Sequence, residues 1–101
     1  MSRYFNDFSD NKITVHNIIE NGNDRTPNGF KSWKDYWEHY TNRKFNKCSC
    51  CESADAEVGA HVQKSDSYDR RWYIVPLCIG CNNKRGQDIQ VRESDLVPVN
   101  Q

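Results

Sequence analysis

Long apolar runs are missing from this sequence, and apolar residues are few throughout. Hydrophobic residues make up 36% of the 101-residue chain, and its mean hydropathy is −0.98. No segment approaches the roughly 18 consecutive apolar residues of a membrane-spanning helix, so we expect no membrane partner. A chain this short and polar buries too little surface for a large core. Such domains often depend on disulfides, a metal ion or a partner.

We also expect no secretory leader. The first 30 residues contain no basic stretch followed by an apolar one, and we therefore expect a cytoplasmic protein whose thiols stay reduced. In that setting, paired Cys-x-x-Cys motifs usually bind a metal. The five cysteines of the chain are thus candidate metal ligands rather than candidate disulfides.

The chain has no net charge, because 14 basic residues balance 14 acidic residues. The charge is nevertheless distributed in blocks: residues 31–50 carry +3, residues 51–69 carry −4 and residues 70–87 carry +4. Two interpretations stay open, a solvated surface of mixed sign and a patch that faces phosphate groups. In the second interpretation the nucleic-acid-binding residues are Arg70, Arg71, Lys84 and Arg85.

Residues 32–41 have the clearest helical pattern. Ser32 is a suitable N-cap with Asp35 three residues on, and Asn42 is a suitable end. We expect the aromatic face of this helix to pack on the rest of the domain, and the alternative is a platform for stacked bases. Its four aromatic residues stand at positions i, i+3, i+4 and i+7, as Trp33, Tyr36, Trp37 and Tyr40.

Two short strands are indicated near the ends of the chain. Ile13 and Val15 alternate with polar residues, but His16 and Asn17 break this pattern. Ile89 and Val91 also alternate as in a strand. Pro98 argues against a central strand after them, because proline cannot donate a ladder hydrogen bond.

These patterns suggest how the chain is organised. Residues 21–29 have the composition of a turn or loop. We therefore predict an N-terminal extension over residues 1–30, partly loop, and one domain over residues 31–101. The metal module of that domain spans residues 47–86.

The strongest signal is a pair of cysteine motifs that are 26 residues apart. We predict that one zinc ion binds to Cys48, Cys51, Cys78 and Cys81, since two residues between cysteines let both sulfurs reach one ion at about 2.3 Å. A redox dithiol would not explain the second pair, and iron–sulfur binding is a minor alternative. Cys50 is the spare thiol. His16, His39 and His61 are other conceivable ligands, but four thiolates already saturate a structural site.

The segment between the two motifs predicts a hairpin. Residues 57–62 and 72–77 are short apolar runs that flank a polar connection, residues 63–71. A short helix is expected to open at Cys78 and to end at Gly86. Motif, hairpin and helix together predict a small zinc-stabilised treble clef of the α+β class, ββα-like, preceded by the aromatic helix.

This arrangement resembles the HNH family of zinc-containing endonucleases over roughly residues 45–86. The resemblance rests on the two cysteine motifs, on the box of residues 59–62 (Gly-Ala-His-Val) and on Asn82 directly after the last cysteine. In that family the histidine of the box is the general base, and a residue after the last cysteine completes the site of a catalytic divalent metal. The resemblance therefore implies that His61 and Asn82 are the catalytic residues, if the site is active, while the zinc is structural.

Two positions depart from the family pattern. Ala60 stands where the family tends to have a metal-binding acid, and Tyr73 stands where it often has an orienting asparagine. Phosphodiester hydrolysis needs a cation on the reacting phosphate, and Mg²⁺ usually needs one or two carboxylates. Asp66 and Asp69 lie in the hairpin connection, but nothing in their spacing brings them to the site. His61 is then either a lone base or a buried histidine that bonds a carbonyl group.

The sequence therefore predicts a zinc-stabilised, non-catalytic HNH-like module. Its expected partner is nucleic acid or a protein that handles nucleic acid. An active HNH endonuclease that uses His61 and Asn82 is one alternative. A small protein inhibitor or adaptor, of the type that a phage or mobile element encodes, is another.

Overall fold

A computed structural model describes residues 11–18, 29–84 and 87–99. The described strands are β1 (Lys12–Asn17), β2 (Val58–Lys64), β3 (Trp72–Leu77), β4 (Asp88–Arg92) and β5 (Val97–Pro98), and the helices are α1 (Trp33–Thr41) and the single turn α2 (Ile79–Asn82). A 3₁₀ turn, Glu93–Asp95, joins β4 to β5. Within these ranges no helix is long and apolar enough to cross a membrane.

The five strands form one antiparallel sheet in the order β4-β1-β2-β3-β5. The predicted α+β class is therefore confirmed. The predicted hairpin is also confirmed, since β2 and β3 pair along their length with His61 opposite Ile74 and Val62 opposite Tyr73.

Strand β1 lies inside the sheet, between β4 and β2. The strand predicted from Ile13 and Val15 is confirmed. The expected break at His16 and Asn17 is wrong, because both residues pair within the sheet, with Gln63 and Val62 of β2. Val15 is fully buried and Asn17 is 8% exposed, so this face of β1 belongs to the core. One part of the segment 1–30 is thus a strand of the same sheet. The rest of that segment, apart from Asn11, Ile18 and the residues that precede α1, lies outside the described residues.

Helix α1 begins and ends where its capping chemistry predicts. The Ser32 side chain accepts a hydrogen bond from the Asp35 backbone N–H at 3.1 Å, which satisfies one of the free donors of the first turn. Asn42 adopts the left-handed conformation with φ 58°, and its N–H donates to the Glu38 carbonyl group.

Two apolar clusters cover the two faces of the sheet. The α1 face is formed by Tyr36, Trp37, Ile74 and Val97, with Phe30, Trp33, Phe45 and Val99 against them. The opposite face holds Cys48, Cys78 and Cys81 among the side chains that point inward from four strands: Val15, Ala60, Val62, Tyr73, Val75, Leu77, Ile89 and Val91. The cysteines are therefore part of the main core.

The C-terminal segment completes both edges of the sheet. Ile89 and Val91 are buried in β4, as their alternation predicts. Pro98 lies in the two-residue edge strand β5, where a missing N–H costs the ladder little.

Candidate metal centre

The first cysteine motif forms a tight turn just before β2. The Cys48 N–H donates to the Ala54 carbonyl group at 2.8 Å, and the Glu52 N–H donates to the Cys48 carbonyl group at 2.9 Å. Glu52 adopts a φ of 60°, which closes the turn. The Cys50 N–H points at the Cys48 sulfur from 3.4 Å, and N–H donors of this kind stabilise a thiolate.

The second motif stands at the junction of β3 and α2. Cys78 is the N-cap of α2, and its sulfur accepts from the Cys81 N–H at 3.4 Å. The Asn82 N–H donates to the Cys78 carbonyl group at 2.9 Å, which continues the helical turn. The predicted helix at this motif is thus present as one described turn, and its predicted end, Gly86, lies outside the described residues.

The two turns bring four sulfur atoms together. The sulfurs of Cys48, Cys51, Cys78 and Cys81 all lie within 4.8 Å of one another, and the Cys51 and Cys78 sulfurs are 4.0 Å apart. A tetrahedral ion with four sulfurs at about 2.3 Å requires sulfur–sulfur distances of about 3.8 Å. All of the cysteines are free thiols. The arrangement is therefore compatible with one metal ion bound by four cysteines.

The thiols differ in the ease with which they lose a proton. Hydrogen bonds from the backbone of Ala54 and from Ser53 lower the pKa of Cys51 from 9.0 to about 5, which makes this exposed cysteine a thiolate at neutral pH. Burial, followed by hydrogen bonds with Cys78 and other neighbouring thiols, raises the pKa of Cys81 well above its usual range. Neighbouring thiolates in a buried site repel one another, and a divalent cation removes that cost.

The other conceivable ligands stay outside this group. Cys50 is half-buried and packs on the main core, while its sulfur is not among the four that converge. The Nδ1 atom of His16 lies 2.9 Å from the Ser65 hydroxyl group, and His39 packs edge-on against Phe30. In the part of the chain that the structure describes, the converging group consists of four cysteines and no histidine.

A buried Ser–Asp contact fixes the first motif to the rest of the protein, and the sequence did not reveal it. The Ser49 hydroxyl group donates to the Asp95 carboxylate at 2.9 Å and accepts from the Arg92 N–H at 3.0 Å. Ser49 is 1% exposed and Asp95 is 5% exposed. The Asp95 carbonyl group in turn accepts from the Trp37 indole N–H at 2.7 Å. This contact therefore links the metal centre to α1.

The His61 side chain and the Asn82 backbone have different surroundings. His61 is 7% exposed and packs edge-on against Trp33, with ring centroids 4.7 Å apart. Its neighbours Ala60 and Val62 are in the cluster with the cysteines. Since successive side chains of a strand alternate between faces, His61 faces α1 and not that cluster. The carbonyl group of Asn82, by contrast, accepts from the Asn17 side chain at 2.7 Å, and Asn17 belongs to the cysteine face of β1.

Of the two aspartates in the hairpin connection, Asp69 is held in ion pairs and Asp66 is exposed. The Asp69 carboxylate binds Lys64 at 3.2 Å and Arg71 at 3.2 Å, and it also accepts from the Tyr73 hydroxyl group. These donors, with Arg71 the largest contributor, hold the pKa of Asp69 well below its usual range. Asp66 is exposed and has a φ of 51°. Asp69 therefore stabilises the connection between β2 and β3.

The basic residues predicted to contact phosphate are exposed where they are described. Arg70 and Lys84 lie on the surface, and Arg71 is held by Asp69 while its guanidinium group lies 5.4 Å from the Tyr73 ring centroid. Arg85 lies outside the described residues. Their role in nucleic-acid binding stays a prediction.

Comparison with known proteins identified no relative of this chain. The chain matches no family model, no curated protein and no solved structure. The four-cysteine cluster is therefore the feature with the most definite chemistry in the described protein.

Proposed function

We propose that this protein is a zinc-stabilised, non-catalytic module that binds nucleic acid. The convergence of the four cysteine sulfurs within 4.8 Å of one another is the observation that carries the structural zinc, on which the rest of the proposal depends. Four thiolates fill a tetrahedral shell and leave no open position for substrate or water, which is the arrangement of structural zinc. An iron–sulfur cluster would use several iron atoms, and its cysteines would stand farther apart than cysteines that share one ion.

We also propose that the metal module is an HNH-like treble clef. A cysteine turn, the β2–β3 hairpin, a second cysteine turn and α2 follow one another in the order that this fold requires. The box of residues 59–62 lies on β2, within the hairpin.

The burial of His61 supports a scaffold without catalysis. A general base must reach the water that it activates, whereas His61 packs under Trp33 and is 7% exposed. Ala60 offers no ligand for a catalytic metal, and the Asp69 carboxylate is already bound by Lys64 and Arg71. Positioning and charge stabilisation supply most of the rate enhancement of a phosphodiesterase.

The block distribution of charge supports nucleic acid as the partner. Residues 31–50 and 70–87 carry net charges of +3 and +4, and they flank or contain the two cysteine motifs. Surface cations that neutralise phosphates release counterions, so binding is expected to weaken steeply with salt.

Metal analysis combined with cleavage and binding assays tests this proposal. We expect one zinc per chain, lost in the double variant Cys78→Ser, Cys81→Ser and kept in Cys50→Ser. We expect a salt-sensitive gel shift with DNA or RNA and no cleavage in Mg²⁺, Mn²⁺ or Ni²⁺. Metal-dependent cleavage that disappears in His61→Ala would establish the endonuclease instead. Zinc without either nucleic-acid signal would favour the inhibitor or adaptor.

A further inference from the structure

A small pocket beside the first cysteine motif is lined mainly by cations. It has a volume of about 220 Å³ and lies between the end of α1, the start of the motif and the end of β4. Four basic side chains line it, those of Arg43, Lys44, Lys47 and Arg92. None of the four belongs to the set Arg70, Arg71, Lys84 and Arg85 that the sequence indicated. Three of them come from residues 43–47, and the fold adds Arg92 from a distant part of the chain.

The acidic groups near this pocket offset only part of its charge. Asp95 is the one acid in its lining, and its carboxylate is bound by the Ser49 hydroxyl group and by Arg43 at 3.0 Å. Outside the lining, Asp55 pairs with Lys47 at 3.0 Å, with both side chains exposed. Glu52 is bound by Lys12, which lowers the pKa of its carboxyl group, and the charge of Arg92 lowers this pKa further. Lys44 has no ion pair within the described ranges.

Arg92 contributes a buried donor that has no acceptor. Its Nε atom is inaccessible to solvent and has no hydrogen-bond partner among the described residues. A buried N–H without a partner is costly, and such donors in native proteins usually have an acceptor from a bound molecule or water. Two guanidinium groups line the pocket, those of Arg43 and Arg92. Arg43 forms an ion pair with Asp95, whereas Arg92 has no ion pair in the described structure.

We propose that this pocket binds one phosphate group of a nucleic-acid backbone. The proposal rests on the proposed function for its partner, while the pocket alone indicates the phosphate chemistry. A turn of the Arg92 guanidinium group would bring its Nε–H, now inaccessible, to the pocket, where a phosphate oxygen would accept from it. Lys44 and Lys47 would add point charges at the rim.

Two variants of pocket residues and one control variant test the pocket in the full protein. Binding to a fluorescein-labelled 20-nucleotide DNA is measured by anisotropy at several salt concentrations. We expect Lys44→Gln and Arg92→Gln each to weaken binding about tenfold. Each is also expected to reduce the slope of log K against log salt by about 0.7–0.9. Lys31→Gln removes the same charge from an exposed residue outside the pocket, and we expect it to weaken binding less than either pocket variant does.

A second measurement reads the buried donor directly. The Arg92 Nε–H resonance is followed by ¹H–¹⁵N NMR while inorganic phosphate or the unlabelled DNA is added. We expect both ligands to shift it, with saturation at a lower concentration of DNA. Arg92→Lys, which keeps the charge but lacks the Nε–H, assigns the resonance, and the thermal midpoint of each variant shows that it is folded.

The two measurements separate the failure of the pocket from that of the proposed partner. DNA binding that is unaffected by the pocket variants but lost in Arg70→Gln with Arg71→Gln would overturn the pocket and leave the nucleic-acid function standing. A phosphate-induced shift without DNA binding would keep the phosphate site and overturn the nucleic-acid partner. If neither ligand shifts the Arg92 resonance and DNA does not bind, both proposals are wrong.

Discussion

Trp37 is the side chain through which α1 is attached to the sheet and to the metal centre. It is 2% exposed, packs edge-on against Phe45 and donates its indole N–H to the Asp95 carbonyl group. Arg43 lies over its ring at 5.0 Å from the centroid. Tyr36, one residue earlier, is equally buried and donates to the Pro98 carbonyl group. Tyr40 ends the aromatic stripe and is 54% exposed.

We therefore expect Trp37→Ala to destabilise the protein by about 3–5 kcal/mol, as for other large core aromatics. Chemical denaturation in a zinc-containing buffer gives this free energy of unfolding. Tyr40→Ala, from the exposed end of the stripe, is the control and should cost less than about 1 kcal/mol. Equal costs for the two variants would contradict the assignment of Trp37 to the core.

Asp69 gives a second expectation at the residue scale. Its pKa is depressed in the folded protein by Arg71, Tyr73 and Lys64, so its contribution to stability is present above the pKa of the unfolded chain, near 3.9. That contribution is lost as the pH falls through this value towards the lower folded pKa. Asp69→Asn should thus lower the thermal midpoint at pH 7 and have a smaller effect at pH 3.

Thermal melts of wild-type protein and Asp69→Asn between pH 3 and pH 7 check this sign. Asp55→Asn serves as the control, because its carboxylate is exposed in its pair with Lys47. A loss of stability in Asp69→Asn that is as large at pH 3 as at pH 7 would show that its role is not electrostatic.

The residues of the metal centre were predictable from sequence, but those around it were not. The spacing of the cysteines was enough to predict that Cys48, Cys51, Cys78 and Cys81 bind one ion. Ser49 and Asp95 are far apart along the chain and carry no motif, so only the folded chain shows their contact. In the same way, only the folded chain places Arg92 beside the cations of residues 43–47.

At the scale of elements, α1 and β2 approach each other closely at Gly59. A Cβ atom at this position would lie 2.9 Å from the Trp33 Cβ and 3.3 Å from the Ile74 side chain. Gly80, in contrast, would place its Cβ no closer than 3.9 Å to the Cys78 sulfur.

Gly59→Ala is therefore expected to separate α1 from the sheet at a cost of about 1–3 kcal/mol, which is typical of overpacking. Gly80→Ala, the control, lies in a helical turn with room for the methyl group and should be neutral or stabilising by up to about 1 kcal/mol. Denaturant titration of both variants measures the difference. A tolerated Gly59→Ala would mean that α1 is more loosely packed than the structure shows.

The boundaries of the elements followed from local chemistry more closely than their arrangement did. Ser32 and Asn42 predicted the ends of α1, and alternation predicted β4 and the first part of β1. The end of β1 was not predicted, because His16 and Asn17 interrupt the apolar alternation. No local signal indicated that β1 pairs with both β2 and β4, because strand pairing between distant segments depends on the whole fold.

For the molecule as a whole, the metal centre is continuous with the larger of the two cores. Cys48, Cys78 and Cys81 pack with side chains of β1, β2, β3 and β4. Removing an ion from this position leaves buried thiols in contact and releases two loops from the sheet. The fold is then expected to depend on the metal, since structural zinc contributes folding free energy directly.

Stripping zinc with a chelator under reducing conditions should abolish the cooperative thermal transition or lower its midpoint strongly. Zinc at about 100 times its dissociation constant adds about 2.7 kcal/mol to the free energy of unfolding. Calorimetry at several free zinc concentrations measures this dependence, with Cys50→Ser as a variant that should behave as wild type. Identical melts with and without zinc would contradict it.

The place of β1 in the sheet has a kinetic consequence. Lys12 pairs with Arg92, so the first described strand finds one of its two neighbours in the last fifth of the chain. Closing so long a loop is entropically costly, and proteins rich in such contacts cross their folding barrier slowly. After dilution from denaturant, the β2–β3 hairpin can form early, while β1 must wait for β4. Refolding should therefore be limited by the docking of these two strands, with rates nearer to those of all-β domains than to those of small helical ones.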